Sequence, residues 1–329
     1  MTQLAPLLVI KSSGGGGTGD SIRSLIAGID YARRSGRSIY VDWSDGMFGP
    51  EGINVFSDFF EILGLPTVTD LKAYGDGEDV FPAIWKNNLD QSLKTLWTKQ
   101  GYPAWDRHAV RTTFSFDQER LDYNELVLVM WDFDGYFAAP QALERARALA
   151  QRHLSPAGAI KAEVDQDVAT RFRKPVIGIH VRETAEATAG GKALPVSLLT
   201  EKVSEIASET GSQCIFLCTD NQHRQEQIQQ QFSNVIVLEK LMPPAGEAIH
   251  LSEFGPTVFE KTRDALLDLL TLSRCDYIVY PAFSSFSICA ALLSTTPEDR
   301  IYPIASSGPS GLRGLGRRAI SKLRQAQSR

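Results

Sequence analysis

Between residues 175 and 304, five short apolar runs alternate with stretches of helical periodicity, and that alternation leaves few folds open. The runs are PVIGIHVR (175–182), CIFLCTD (214–220), NVIVLEK (234–240), DYIVYP (276–281) and RIYPI (300–304). Each is strand-length and apolar on successive residues, the pattern of a strand buried on both faces of a parallel sheet. Between them lie LPVSLLTEKVSEIASETG (194–211), NQHRQEQIQQQF (221–232), VFEKTRDALLDLLTLSRC (258–275) and FSSFSICAALLS (283–294), which read as helices. Strands joined through helices run parallel, with right-handed crossovers.

The first half opens the same way. PLLVIKS (6–12) is a buried strand, GGGGTGD a turn, and SIRSLIAGIDYARRSGR a helix with Ile22, Leu25, Ile26 and Ile29 on one face. Gly36 falls where a C-cap belongs. SIYVDW (38–43) and ELVLVMWDF (125–133) are further strands, and PQALERARALAQRHL (140–154) and AGAIKAEVDQDVATRF (157–172) are helices. Residues 44–125 are rich in aromatics, Gly and Pro, with helical stretches such as VFSDFFEILGL and LDQSLKTLW, and they read as loops and short helices facing an acceptor. The 329 residues suit two domains, divided where RFRKP breaks the pattern: 1–172, 173–306 and a basic tail, 307–329. The tail has no acidic residue; it reads as a solvated terminal helix or as a weak electrostatic contact with a membrane surface or an anionic partner.

A net charge of −5 supplies no basic field for nucleic acid. No apolar run approaches the roughly 20 residues of a membrane span, and the N-terminus lacks the basic start of a signal peptide. Cys214, Cys218, Cys275 and Cys289 lie in or beside apolar runs at spacings that match no zinc pattern. They read as buried free thiols, in keeping with a cytoplasmic location.

In an open parallel sheet, ligands bind beyond the carboxyl ends of the strands. Three strand ends of the second half carry groups suited to a nucleotide diphosphate. In IGIHVRETAE, His180 and Arg182 are two apart and point to the same side. A guanidinium can hold a pyrophosphate through paired charge-assisted bonds and stabilise a departing nucleotide. Arg182 could equally be a structural ion pair, and His180 a packed core histidine. In FLCTDN, Asp220 and Asn221 stand between a strand and a helix. Asp220 suits a ribose or a guanine edge, although Thr219 or Asp220 could simply cap the helix. In YPAFSSFSICAALL, Ser284, Ser285 and Ser287 meet a helix N-terminus, which is an anion site or a plain cap. Upstream, Asp264, Asp268 and Ser273 share a helix, and Asp268 sits among leucines as a site residue or a solvent-facing charge.

Gly14, Gly16 and Gly19 also match a dinucleotide fingerprint, with Asp42 ending the next strand. That leaves an NAD-dependent oxidoreductase as an alternative. The fingerprint is cheap within four consecutive glycines, and no Walker lysine follows it. On either reading a glycine turn at a helix N-terminus lets the backbone approach phosphate or sugar, with Asp20 placed to cap the helix.

The segment VIKSSGGGGTGDSIRSLIAGIDYARRSGRSIYVDW resembles the opening of the nodulation fucosyltransferases (NodZ type). VIGIHVRETAE resembles the HxR motif of α1,6-fucosyltransferases and, more distantly, of protein O-fucosyltransferases. FLCTDN and LLDLLTLSRCDYIVYPAFSSFSICAA resemble that family's second and third motifs. The likeness covers roughly residues 7–43 and 175–293. It implies a GT-B-like α/β fold, two Rossmann-like domains whose parallel sheets face a cleft, with GDP-β-L-fucose in the C-terminal domain. It implies an inverting, metal-independent transfer of L-fucose to a sugar hydroxyl of an oligosaccharide, in keeping with the absence of a DxD motif at a strand end. By resemblance, Arg182 holds the β-phosphate and His180 sits beside the donor. Asp220, with its neighbour Asn221, and Asp268 serve the guanosine. Ser284 and Ser285 meet the diphosphate, with Gly17, Gly19 and Asp20 as donor-side residues of the first domain. Where the eukaryotic α1,6-enzymes carry a second arginine and an Asp-Lys pair, Glu183, Ala185 and Glu186 stand here; the nodulation enzymes also lack the second arginine, so the resemblance favours the bacterial branch. Glu183 and Glu186, and third Asp20, are the candidates for the base that takes the acceptor proton. A catalytically inactive, carbohydrate- or nucleotide-binding relative is the non-enzymatic alternative.

Overall fold

The computed structural model describes residues 4–12, 16–75, 79–99, 113–133, 135–139, 141–182, 194–242 and 255–305. Glu183, Glu186, Gly14 and the basic tail lie outside them. The chain divides into two compact units, residues 1–137 with 143–157, and residues 138–142 with 158–329.

In the first unit, β1 (Leu7–Lys11), α1 (Thr18–Ser35) and β2 (Ser38–Asp42) form the opening βαβ. α2 (Phe56–Phe59), β3 (Phe60–Ile62), β4 (Val80–Phe81) and α3 (Leu93–Lys99) follow. β5 (Val127–Met130), α4 (Ala142–His153) and β6 (Leu154–Pro156) complete the unit. The main sheet has the order β2-β1-β5-β4, and every pair is parallel. α1 forms because Ile22, Leu25, Ile26 and Ile29 make one fully buried stripe, and it stops at Gly36, which takes φ +69 and returns its N–H to Ala32. Gly28 lets α1 lie close on β1: a Cβ there would stand 2.4 Å from Ile10 Cδ1.

The aromatic middle departs from its sequence reading. VFSDFFEILGL is not one helix. Only Phe56–Phe59 coil, and the next three residues pair antiparallel with β6. Both strands are three residues long, too short for a period-2 pattern to register.

The second unit runs α5 (Gly158–Arg171), β7 (Val176–Val181), α6 (Val196–Thr210), β8 (Cys214–Thr219) and α7 (Gln222–Gln231). It continues through β9 (Val235–Ile236), α8 (Val258–Leu272), β10 (Tyr277–Pro281), α9 (Ser285–Leu293) and β11 (Ile301–Ile304). The sheet is parallel throughout, in the order β11-β10-β7-β8-β9. NVIVLEK is strand only at Val235 and Ile236; the ladder with β8 ends after two residues.

Alternation along β7 fixes what faces what. Ile177, Ile179 and Val181 join Leu199, Val203, Ile206, Ile215, Leu217 and Val279 in one core. Burying each such side chain contributes about 1.5–3 kcal/mol. Gly178 and His180 point to the other face. A Cβ on Gly178 would meet Leu272 Cδ1 at 2.6 Å and Cys275 Sγ at 2.8 Å, so α8 reaches the sheet only because the side chain is missing. All four cysteines are free and buried.

Candidate active site

The strand order of the second unit places its candidate site. Successive strands leave β7 toward β8 and β9, then return to its other side as β10 and β11. The loops after β7 and β10 therefore run in opposite directions and leave a crevice at their carboxyl ends, where open α/β sheets bind ligands. Arg182 follows β7, and Ser284 follows β10.

Register brings the charged residues together. β7 and β8 pair with Val181 opposite Thr219, so the next residues, Arg182 and Asp220, leave the sheet side by side. Arg182 Nη1 stands 2.9 Å from Asp220 Oδ2, close enough for an ion pair but not aligned as a hydrogen bond. Both Asp220 oxygens thus remain buried acceptors without an aligned donor. Arg182 keeps about a quarter of its side chain exposed, at 23%, so part of its donor fork reaches solvent.

Asp220 is not the cap of α7. Asn221 is: its side chain accepts from the Arg224 N–H at 3.0 Å, while Thr219 Oγ1 accepts from the Asn221 N–H at 3.2 Å. This local bonding occupies the Asn221 oxygen and leaves the Asp220 carboxylate to Arg182.

His180 occupies the same face of β7. Its Nδ1 bonds Ser287 Oγ, and its ring lies 5.0 Å from that of Phe286, so the end of β7 is tied to the first turn of α9. Burial drives its pKa well below the ordinary imidazole value, and the positive charges of Arg182 and Lys240 push the same way. His180 is therefore a neutral, fully enclosed ring, the packed reading rather than an exposed acid or base. Ser284 is the N-cap residue of α9 by position, but its side chain makes no capping bond. Ser285 is the first residue of the helix. The two serines stand at a helix start, where the Ser284 N–H donates to the Pro281 carbonyl at 2.9 Å.

Asp268 is not a solvent-facing charge. It is 3% exposed, and its Oδ2 pairs with the ammonium of Lys240, whose side chain is also enclosed. Burial pushes the Asp268 carboxyl up, and the Lys240 ammonium pulls it back down. Burial works against the Lys240 charge too, but Asp268 beside it holds its pKa above the ordinary lysine value. Asp268 Oδ1 has no hydrogen-bond partner among the described residues. Asp264 sits half-buried one turn earlier, 3.7 Å from Arg263, and burial raises its pKa. Ser273 closes α8 by donating to the Leu270 carbonyl at 2.6 Å. Lys240 is absent from the sequence reading. Its one signal there is a basic residue ending an apolar run at the same sheet edge as Arg182 and Asp220.

The remaining candidates belong to the first unit. Gly17 is the N-cap of α1, with φ −68 and no side-chain cap, and its carbonyl accepts from Asp20 and Ser21. Asp20 is the third residue of α1 rather than its N-cap residue. It lies inside the first turn, 3.7 Å from Arg23, and Gly19 is buried in that turn. Asp42 is 5% exposed and fully engaged. Lys11 Nζ donates to Oδ2 at 2.5 Å, and Oδ1 accepts from Ser44 Oγ at 2.5 Å. Lys11 also donates to the carbonyls of Leu89 and Gln91. The dinucleotide alternative needs Asp42 to accept from a ribose, whereas here it is buried against Lys11 and Ser44.

The family model of nodulation protein Z (NodZ) matches residues 8–301. The chain belongs to the NodZ family. Nodulation protein Z of Azorhizobium caulinodans is 28% identical over 305 residues, covering 84% of this chain and 86% of that protein. Its counterpart in Bradyrhizobium diazoefficiens is 26% identical over 301 residues, covering 84% and 77%. Among solved structures, a NodZ alpha-1,6-fucosyltransferase soaked with GDP-fucose superposes with a TM-score of 0.58 at 22% identity, covering 88% of this chain and 93% of that one. POFUT1 in complex with GDP superposes at 0.59 and 12% identity, covering 92% and 99%. At those identities the two structures speak to the α/β fold of parallel sheets. Among the described residues, no NodZ-like helix here is long and apolar enough to cross a membrane.

Proposed function

We propose that this NodZ-family chain is a fucosyltransferase that moves L-fucose from GDP-β-L-fucose, with inversion and without a divalent metal, to a hydroxyl of an oligosaccharide. The observation that carries the reading is the Arg182–Asp220 ion pair beside the start of α9, at the crevice that the strand order opens. Family membership supports it, as does the printed description of the related NodZ structure as a fucosyltransferase soaked with GDP-fucose.

In this reading Asp220 holds the guanidinium in place, and the free donors of Arg182 take the β-phosphate. As the C1–O bond of fucose breaks, negative charge gathers on the leaving diphosphate. A fixed guanidinium and the positive end of the α9 dipole stabilise it without reorganising. The neutral His180–Ser287 link keeps these two elements in register, so His180 positions the site and is not a base. Asp268 and Asp220 serve the guanosine. The acceptor hydroxyl loses its proton to a carboxylate, for which Glu183 and Glu186 are the candidates by sequence position; the proton transfer is worth about 10²–10⁴-fold in rate. Residues 44–125 select the acceptor. A cytoplasmic setting, with the basic tail as a weak membrane-surface contact, fits the use of a soluble nucleotide sugar.

The test is turnover. Purified protein with GDP-fucose and a chito-oligosaccharide, in EDTA, should release GDP in step with fucosylated product. Release that appears only when Mg²⁺ or Mn²⁺ is restored would overturn the metal-independent mechanism. Transfer from UDP-sugars but not GDP-fucose would overturn the donor.

A further inference from the structure

Lys240 is an enclosed cation that no step above uses. Its side chain is 7% exposed, it follows β9 at the same sheet edge as Arg182, and it pairs with Asp268 Oδ2. Asp220, Asp264 and Asp268 all act on it or are acted on by it. The partner oxygen, Asp268 Oδ1, is buried with no hydrogen-bond partner among the described residues. Leaving a carboxylate oxygen dry and unbonded is costly, so it needs an explanation beyond packing. A carboxylate clamped on one oxygen and open on the other is an oriented acceptor. Its natural complement is a ligand edge with neighbouring N–H donors, as guanine has.

We propose that Lys240 is a positioning residue for the donor nucleotide: it keeps the Asp268 carboxylate ionised and oriented so that Oδ1 accepts from the N–H edge of the base. This rests on the reading of the second unit as a GDP site. The alternative is that Lys240 merely neutralises a buried charge. The two differ in what pH does to affinity. The charged and titratable groups around Asp268 are Lys240 after β9, Asp264 on its own helix, Asp220 and Cys218 at the end of β8, and His180 and Arg182 at the end of β7. Of these, only Lys240 both bonds the carboxylate and lowers its pKa. Without Lys240 the Asp268 pKa climbs further, and its acceptor is lost as pH falls.

The experiment is calorimetric titration of GDP into the full chain at about pH 6, 7 and 8, with wild type, Lys240→Met and Lys240→Arg. The ratio of Lys240→Met to wild-type Kd cancels the ionisation of GDP itself. The proposal predicts a ratio that grows as pH falls, by up to about tenfold per pH unit. Lys240→Arg, which keeps a permanent charge, should recover most of the affinity and lose the extra pH dependence. A Lys240→Met ratio that is constant with pH, or no loss at all, overturns the proposal while leaving the GDP reading standing. Absence of GDP binding by wild type overturns that reading, and the proposal with it. Should Lys240→Met not fold, the Lys240→Met/Asp268→Asn double variant removes both charges of the buried pair together. The proposal then predicts at least about tenfold weaker GDP binding, the same at each pH, and wild-type affinity in that variant overturns it.

Discussion

Acidification tests the placement of His180 without any ligand. The ring is 4% exposed, bonded to Ser287 Oγ and flanked by the charges of Arg182 and Lys240, so its folded pKa is lowered well below the ordinary value. The unfolded chain titrates near about 6.5. Below that pH the unfolded state binds a proton that the folded state refuses, so stability falls as pH falls toward the folded pKa. One such group sets a slope that approaches about 1.4 kcal/mol per pH unit, so the loss between pH 6.5 and pH 5 is on the order of 1–2 kcal/mol. Carboxylates also titrate toward the lower limit, so the measurement is a difference. Urea unfolding of wild type and His180→Gln is followed across this range. Gln keeps a hydrogen-bonding partner for Ser287 and removes the titration. The tryptophans all lie between residues 43 and 131, so unfolding of the second unit is read by far-UV circular dichroism rather than by fluorescence. Wild type should lose on the order of 1–2 kcal/mol more than the variant over that interval. Parallel curves for the two proteins would show that His180 protonates freely in the folded state and is not the enclosed neutral ring described here.

Other consequences follow from the same geometry. Arg182→Ala should lower kcat/KM for GDP-fucose by about 10²–10³-fold, because it removes a donor at the leaving group, and should also lower the melting temperature, because it leaves the buried Asp220 carboxylate without its partner; wild-type turnover would remove Arg182 from the mechanism. Gly178→Ala should destabilise the second unit by about 1–3 kcal/mol in urea unfolding, since its Cβ would press on Leu272 and Cys275 between β7 and α8; an unchanged midpoint would mean that α8 can retreat. Asn221→Ala should cost about 0.5–2 kcal/mol through the lost cap of α7 and should leave the nucleotide site chemically intact; a selective loss of GDP affinity with no change in stability would give Asn221 a direct role in binding.

The framework was legible wherever burial is continuous. Leu7–Lys11, Val176–Val181 and Cys214–Thr219 are buried along their whole length, so their sequences show unbroken apolar runs that admit one reading. β9 was over-read because an apolar run does not show where a ladder stops. β3, β4 and β6 were missed because two or three residues carry no period. Arg182 and Asp220 could be found as polar residues ending apolar runs, but their pairing depends on the β7–β8 register, which no local pattern encodes. Asp268 was ambiguous because its partner stands 28 residues away along the chain. Lys240 escaped notice because a lysine after a strand usually means solvent; only the carboxylates packed around it make it part of the site.

A crystal of the full chain grown with GDP tests the central claim most directly. The account predicts the diphosphate against the Arg182 guanidinium and the Ser284–Ser285 helix start, with the guanine edge at Asp268. A nucleotide seated instead at Gly17 and the start of α1, with Arg182 untouched, would contradict it.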